Sequence, residues 1–522
     1  MNAKPIIKIA AVAAFLLAPF LTYSQTHAPA SAQTGDLIRG PYLQAATEKS
    51  IVIRWRTAKP TKGMVRFGSS AERLNSKTTE KKATTEHIVK IKGLKPETRY
   101  FYSVGDKQAS LQGNADNYFY TLPEPGKAGL YRVGIFGDCG TNTVKQTSAR
   151  DELIKYLGNN YMTAWILLGD NAYNTGTDEQ YQTNFFNIYK NNLLKKYPLF
   201  PAPGNHDYAN LRGKSKSLLN SRGEADYYKN FTMPVNGESG GLASKDAGFY
   251  SFDIGNAHFL SLDSYGDNEG LISDTMSLQV KWIKADLAAN KNKQWVIAYW
   301  HHPPYTMGTH DSDKENDLVK IRENFIKILE RNGVDMIICG HSHTYERSKL
   351  MTGYFGREPD FSTKYNLSNS TGTYTGTENS CPYVKSSVVN QGTVYVVTGS
   401  AGKIGGAQPT WPHNAMTVSN NTVTGASMLE IQGNRIDLKW LSADGKIGDQ
   451  FTMMKDVNKT TDITVQKGKP VTLTASYVGN YNWTGSSETQ KSITVRPTQT
   501  TTYTVRDQFN CIQDKFNVTV EE

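Results

Sequence analysis

The sequence predicts a chain of three parts: an all-β sandwich, an α/β sandwich of mixed sheets, and a small all-β domain. Three changes of texture predict this. Short alternating runs punctuated by turn signals fill residues 36–123. From about 129 to 454, apolar runs alternate with helical periods. Residues 461–522 return to short, Thr-rich alternating runs. A chain of 522 residues is also too long for one ordinary domain.

Residues 1–32 stand apart. Lys4 and Lys8 precede an apolar run, Ile9 to Ala18, and small residues follow. Ala30-Ser31-Ala32 before Gln33 is one cleavage site and Ser24 before Gln25 another. This is the pattern of a secretory signal peptide, and the run is too short to span a bilayer. It contains no Cys, which excludes a lipid-modified N-terminal Cys, and no later run reads as a transmembrane segment. The expected address is secreted, periplasmic or cell-surface.

In the first sandwich, Ser50 to Arg56, Met64 to Phe67 and His87 to Ile91 alternate strictly. Gly93 to Val104 reads as a turn and a further strand. Leu94, Pro96 and Tyr100 resemble the fibronectin type III pattern, with a Tyr closing a corner. A spacer packed on its neighbour is the expected role. Pro123 to Gly126 reads as a linker.

The α/β part opens with a strand at Tyr131 to Phe136 and a helix at 148–157. Ala164 to Leu168 is a buried strand, followed by a helix at 178–194 and a short strand at Leu199 to Ala202. Gly248 to Asp253 and Ala257 to Asp263 form a hairpin. Leu278, Trp282, Ile283 and Leu287 mark an amphipathic helix with Ser273 or Asp274 as N-cap. Gln294 to Tyr299, Asp335 to Cys339 and Val394 to Thr398 are buried strands, with a helix at 318–331 between the first two. The Gly-, Tyr-, Ser- and Thr-rich stretch 353–386 has no periodicity and reads as a lid, a specificity loop or a disordered insertion. The last part, with strands from Ile463 to Val520, reads as an Ig-like module.

The formal charge of +10 and pI near 9.0 suit an anionic substrate or surface, or mean only a basic exterior. No dense Lys/Arg block is present, so no nucleic-acid partner is expected. Four cysteines are too few for a disulfide scaffold. Cys139 and Cys339 read as a pair or, preferably, as two buried thiols; Cys511 is left unassigned.

Chemistry concentrates in five loops, each following a strand. They are Gly137-Asp138-Cys139-Gly140, Gly169-Asp170-Asn171-Ala172-Tyr173, Gly204-Asn205-His206-Asp207, Trp300-His301-His302-Pro303-Pro304 and Gly340-His341-Ser342-His343. In α/β sheets, ligands gather where strands end. Carboxylate, amide, imidazole and phenolate donors suit Fe, Zn or Mn, with no thiolate needed. Asp170 is placed to bridge two metals, and Tyr173 to bind one. Each loop is a weak signal by itself; five in this order are a strong one.

Together these loops resemble the calcineurin-like metallophosphoesterase superfamily and, within it, the purple acid phosphatases. Most of the superfamily has Asp-x-His in the first motif; here Cys139 and Gly140 follow Asp138, and Tyr173 in Gly-Asp-x-x-Tyr supplies the missing ligand. The resemblance covers the α/β region and the preceding β domain, but not the C-terminal module. That module is similar to ones appended to secreted Bacteroidetes proteins and implies a possible cell-surface association.

The resemblance implies Asp138, Asp170, Tyr173 and His343 on Fe(III), and Asp170, Asn205, His301 and His341 on a divalent Fe, Zn or Mn. It implies His206 at the substrate phosphate and His310 as proton donor to the leaving group, with His302 as a further catalytic candidate. The implied activity is hydrolysis of small phosphate monoesters by metal-bound hydroxide. A phosphodiesterase or nucleotide hydrolase would use the same site. A surface adhesion protein with a relic phosphatase domain would be expected to have lost ligands, and none is missing. Ala298-Tyr299-Trp300 before His301 departs slightly from the family pattern; Tyr345-Glu346-Arg347 fits it.

Overall fold

The computed structural model describes residues 37–211, 224–265 and 271–522. The expected signal peptide lies outside them. Two sheets face each other across the main core. In the first, Leu130–Phe136, Ala164–Leu168 and Leu199–Ala202 lie side by side and parallel. The middle strand is apolar throughout because both its edges are paired and both its faces covered. Gly425–Gln432, Arg435–Ser442 and Lys446–Lys455 extend this sheet antiparallel on one side.

In the second sheet, Ala257–Ser261, Trp295–Trp300, Met336–Cys339 and Val394–Thr398 are parallel. Tyr250–Ile254 joins at one edge as the expected hairpin. The sheets meet through apolar faces: Phe200 stacks on Phe252 at 3.9 Å, and Tyr299 donates to the Phe200 carbonyl at 3.0 Å. Behind the second sheet, Val280, Ile283 and Leu287 of helix Leu278–Ala289 bury against Val296 and Ala298.

The N-terminal β region is joined to the first sheet rather than merely set beside it. Its strand Leu37–Gln44 pairs with Ser50–Thr61 and also, parallel, with Leu199–Ala202. Arg56 reinforces the join by donating to both Asp178 oxygens, at 2.5 and 3.0 Å.

Several expected elements shift. The helix at 278–289 is capped by Ser277, whose hydroxyl accepts from the Val280 amide at 3.2 Å. Asp274 instead closes its own turn onto the Met276 amide. The first helix starts early, at Val144, because buried Gln146 accepts from the Thr141 and Asn142 amides. The expected helix at 178–194 is regular only to Tyr189 and carries a wide turn at Tyr181–Phe186.

Residues 353–386 are packed, which overturns the disordered alternative. The Tyr354 carbonyl accepts from the Tyr305 hydroxyl, and the Glu358 amide donates to Asp313 at 2.8 Å. Tyr383–Lys385 adds a strand to the first sheet. Cys381 is disulfide-bonded to Cys511, while Cys139 and Cys339 are buried free thiols.

The C-terminal segment is all-β, in two small sheets around Leu473, Trp483, Ile493, Val505 and Phe516. Tyr374 of the insertion enters this core and donates to Asp507 at 2.8 Å. Among the described residues, no helix is long and apolar enough to cross a membrane.

Candidate metal centre

All five loops leave the strands at one edge of the two sheets, where backbone bonds stitch them together. The Asp138 amide donates to the Gly169 carbonyl at 3.2 Å, and the Gly340 amide to the His301 carbonyl at 3.0 Å. Asp138, Asp170 and His341 sit at φ of 57°, 54° and 67°, a region that residues with a Cβ seldom enter and that clusters at functional sites. Such turns aim the side chains of consecutive strand exits at one point.

There the expected donors assemble. The Tyr173 hydroxyl donates to Asp138 Oδ1 at 2.9 Å and lies 3.2 Å from His343 Nε2. His301 Nε2 lies 3.3 Å from Asp170 Oδ1, 3.1 Å from Asn205 Oδ1 and 3.1 Å from His341 Nδ1. Ligand atoms of Asp138, Asp170 and His301 fall within 4.8 Å of one another. The structure thus brings all seven expected donors together, with Asp138, Tyr173 and His343 on one flank and Asn205, His301 and His341 on the other. His301 Nδ1 donates to the Leu168 carbonyl at 2.8 Å, which fixes the tautomer and turns Nε2 inward.

The electrostatics are those of negative charge gathered out of water. Burial, together with the charge of Asp170, raises the Asp138 carboxyl to about 8. Asp170 is held low: burial opposes its charge, but His301 and His206 outweigh it. Burial opposes the His301 imidazolium as well, yet Asp170 and Asp138 carry it up to about 9. Tyr173 is pushed well above the usual phenol range by burial and by the two carboxylates. Burial lowers His341 and His343, His343 to about 3, which leaves neutral imidazoles able to donate lone pairs.

The three other expected histidines border the same point. The His206 amide donates to Asp170 Oδ1 at 2.9 Å, and its ring packs 4.7 Å from that of Tyr173. His302 is buried, with Nδ1 2.8 Å from the Ser264 hydroxyl. His310 stacks on His341 at 3.6 Å, with Nδ1 held by Glu315 at 2.9 Å.

Sequence reasoning missed three residues here. Asp207 is buried and accepts from the Gly204 amide at 2.8 Å, from Asn171 Nδ2 at 2.9 Å and from the Tyr181 hydroxyl, locking the second loop to the third. It lay inside a motif already singled out. Glu315 positions His310. Lys403 lies with its Nζ 3.5 Å from the Tyr173 ring centre; the Gly-rich stretch Gly399 to Gly406, at the exit of Val394–Thr398, is the one signal that could have found it.

The residues present fit a pair of cations. The donors are oxygen and imidazole nitrogen, and two buried carboxylates face each other with no Lys or Arg bonded to either among the described residues. The loops also keep the space clear: a Cβ at Gly340 would lie 2.6 Å from Asp138 Oδ2, and one at Gly204 would collide with Asp170 Oδ1.

A two-sheet α/β sandwich with O/N donors at its strand exits can seat two cations that clamp a phosphoryl group. Comparison with known proteins agrees. Residues 131–345 match the calcineurin-like phosphoesterase family, and residues 40–121 match the purple acid phosphatase N-terminal domain. Purple acid phosphatase 15 of Arabidopsis thaliana is 30% identical over 51% of this chain and 50% of its own length. Acid phosphatase type 7 of Danio rerio is 25% identical over 78% of this chain and 89% of its own. A purple acid phosphatase from yellow lupin seeds shares the fold, with a TM-score of 0.62 at 18% identity, covering 80% of this chain and 74% of that one. The chain spans about half the length of the plant relatives it matches. The chain thus carries a calcineurin-like phosphoesterase domain preceded by a purple acid phosphatase N-terminal domain.

Proposed function

We propose that this protein is an extracytoplasmic phosphatase that hydrolyses phosphate monoesters at a dinuclear site. The observation that carries the reading is the convergence of Asp138, Asp170 and His301, with Tyr173, Asn205, His341 and His343 around them. Asp138, Asp170, Tyr173 and His343 would hold Fe(III), for which a hard phenolate is a fitting ligand. Asp170, Asn205, His301 and His341 would hold a divalent Fe, Zn or Mn. When bound, such a pair neutralises phosphoryl oxygens and lowers the pKa of a coordinated water.

The chain's own residues supply the rest. His206, beside Asp170 at the rim, orients the phosphoryl group. His310 has Nδ1 engaged by Glu315, so Nε2 is the atom that gives a proton to the departing alkoxide. His302, backed by Ser264, shapes the pocket wall next to His341. The disulfide between Cys381 and Cys511 supports an oxidising, extracytoplasmic address.

Metal analysis and phosphate release from p-nitrophenyl phosphate test the reading on one preparation. Wild type should hold two metal ions per chain and be active. Asp170→Asn should lose metal and activity together. An active protein whose activity survives Asp170→Asn would refute the assignment.

A further inference from the structure

At the edge of the second sheet remote from the donor cluster, a groove of about 760 Å³ opens. Its walls are the end of helix Leu278–Ala289, the helical stretch 316–331 and the turn before strand Val394–Thr398. Strands Met336–Cys339 and Val394–Thr398 run side by side and parallel. Gly333, Asn390 and Gln391, which line the groove, precede these strands, whereas the loop from Gly340 to His343 follows the first of them. The length of a strand, on the order of 15 Å, therefore separates the groove from the candidate metal centre.

The turn beside the groove carries Val388 and Val389, which are 91% and 69% exposed. Turn tips ordinarily hold Gly, Asn, Asp or Ser, so two adjacent valines in water are out of place there. The backbone holds them out. The Asn390 amide donates to the Ser386 carbonyl at 2.7 Å and closes the turn. The Asn390 side chain donates to the Gly333 carbonyl at 3.3 Å on one side, and the Ser387 amide to Asp456 at 2.8 Å on the other.

Cations surround this apolar tip. Lys291, Lys327 and Arg331 line the groove together with Val389, and an adjoining hollow that shares Lys327 and Arg331 adds Lys284. Among the described residues, Lys291, Lys327 and Arg331 have no carboxylate partner; Lys327 lies with its Nζ 5.6 Å from the Phe355 ring centre, and Lys284 bonds the Thr275 carbonyl at 3.2 Å. The carboxylate that lines the groove, Glu330, is occupied: it accepts from the Tyr395 hydroxyl at 2.7 Å and from the Gly353 amide at 2.8 Å. The face is thus a fixed apolar tip with a basic collar.

We propose that this face docks on an anionic lipid surface. Val388 and Val389 enter the boundary between headgroups and acyl chains, while Lys284, Lys291, Lys327 and Arg331 rest on lipid phosphates. An acidic polymer would use the cations but has no place for two exposed valines, and a neutral lipid surface would use the valines alone. Two small side chains and four charges make a reversible anchor, not a permanent one. Docked in this way, the strand exits that carry the metal donors point away from the lipid and stay open to solutes.

The test is co-sedimentation of the purified full chain with vesicles of phosphatidylcholine alone and of phosphatidylcholine mixed with phosphatidylglycerol. Wild type should sediment with the mixed vesicles, more weakly as salt rises, and not with phosphatidylcholine alone. Val388→Ser with Val389→Ser should weaken that partition about tenfold, and so should Lys327→Glu with Arg331→Glu. Both double variants should keep the wild-type Tm and metal content, which separates lost docking from lost folding. No binding to the mixed vesicles, or binding that survives both double variants, would overturn the proposal. Binding that is lost with the charges but indifferent to the valines would also overturn it, in favour of an acidic polymer in the groove. None of these readouts depends on the protein being a phosphatase.

Discussion

Asp335 gives the sharpest test of how the two sheets are held together. It sits at the entry of strand Met336–Cys339, at the end remote from the donor cluster, and is fully buried. Lys385 reaches it at 2.5 Å and Lys455 at 2.8 Å, and its Oδ2 accepts from the Val296 amide at 2.8 Å. Both lysines come from the first sheet, so one carboxylate of the second sheet anchors two strands of the other. Asp335→Ala leaves two buried ammonium groups and one buried amide facing a void. Breaking a single buried pair by removing one partner costs about 3–5 kcal/mol, and the orphaned amide adds about 1–3 kcal/mol. Ionisation state and water entry absorb part of this, so we expect a net loss of about 4 kcal/mol. Lys455→Met, which leaves Asp335 paired with Lys385, should cost less than half as much. The assay is urea unfolding followed by near-ultraviolet circular dichroism. A loss under about 1 kcal/mol for Asp335→Ala would refute the idea that this carboxylate joins the sheets.

Other expectations are local. His258 is buried between Asp253 and Asp286, at 2.8 and 2.6 Å, with Lys293 on the far side of Asp253. Burial lowers its pKa, but the two carboxylates outweigh that and raise it above the ordinary value of 6.5. Its contribution to stability is therefore complete below about pH 6.5 and is lost as pH rises through the folded-state value. Urea midpoints of wild type and His258→Gln should converge as pH rises; parallel curves would contradict this. Cys511→Ser opens a cross-link between residues 130 apart in sequence and should cost about 2–4 kcal/mol, seen as a lower Tm and faster proteolysis within 353–386. Unchanged values would show that the packing of Tyr374, whose ring lies 5.2 Å from that of Phe509, suffices. His310→Ala should reduce kcat about 100-fold for alkyl phosphates and far less for p-nitrophenyl phosphate, whose leaving group needs no proton. Equal losses on both would remove His310 from proton donation.

The site was largely legible in the sequence because its chemistry is local. An apolar run ending in Gly and then a donor marks a strand exit, and five such exits in order are hard to assemble otherwise. What supports the site was less legible because it is distant in the chain. Nothing near His310 says that Glu315 turns back onto it, and nothing near Tyr173 announces Lys403 from 230 residues further on. The sixth exit, after Val394–Thr398, was passed over because it offers a cation rather than a metal donor. Strand continuity was hidden for a similar reason: Leu37–Gln44 pairs with Leu199–Ala202 across 155 residues, so the N-terminal β region reads as separate. The insertion lacks periodicity because single anchors hold it, among them Tyr374, Tyr383 and Cys381, and not an amphipathic face. Four cysteines cannot reveal their own pairing.

The most direct test of the central claim is the visible absorption spectrum of the purified, metal-analysed protein, beside that of Tyr173→Phe. An Fe(III)–phenolate centre predicts a phenolate-to-Fe(III) charge-transfer band in the wild type, with iron and a second metal ion bound. It predicts that the band disappears in Tyr173→Phe while metal is still held through Asp138, Asp170 and His343. A colourless wild type that carries two Zn or Mn ions, or a band that survives loss of the Tyr173 hydroxyl, would contradict it.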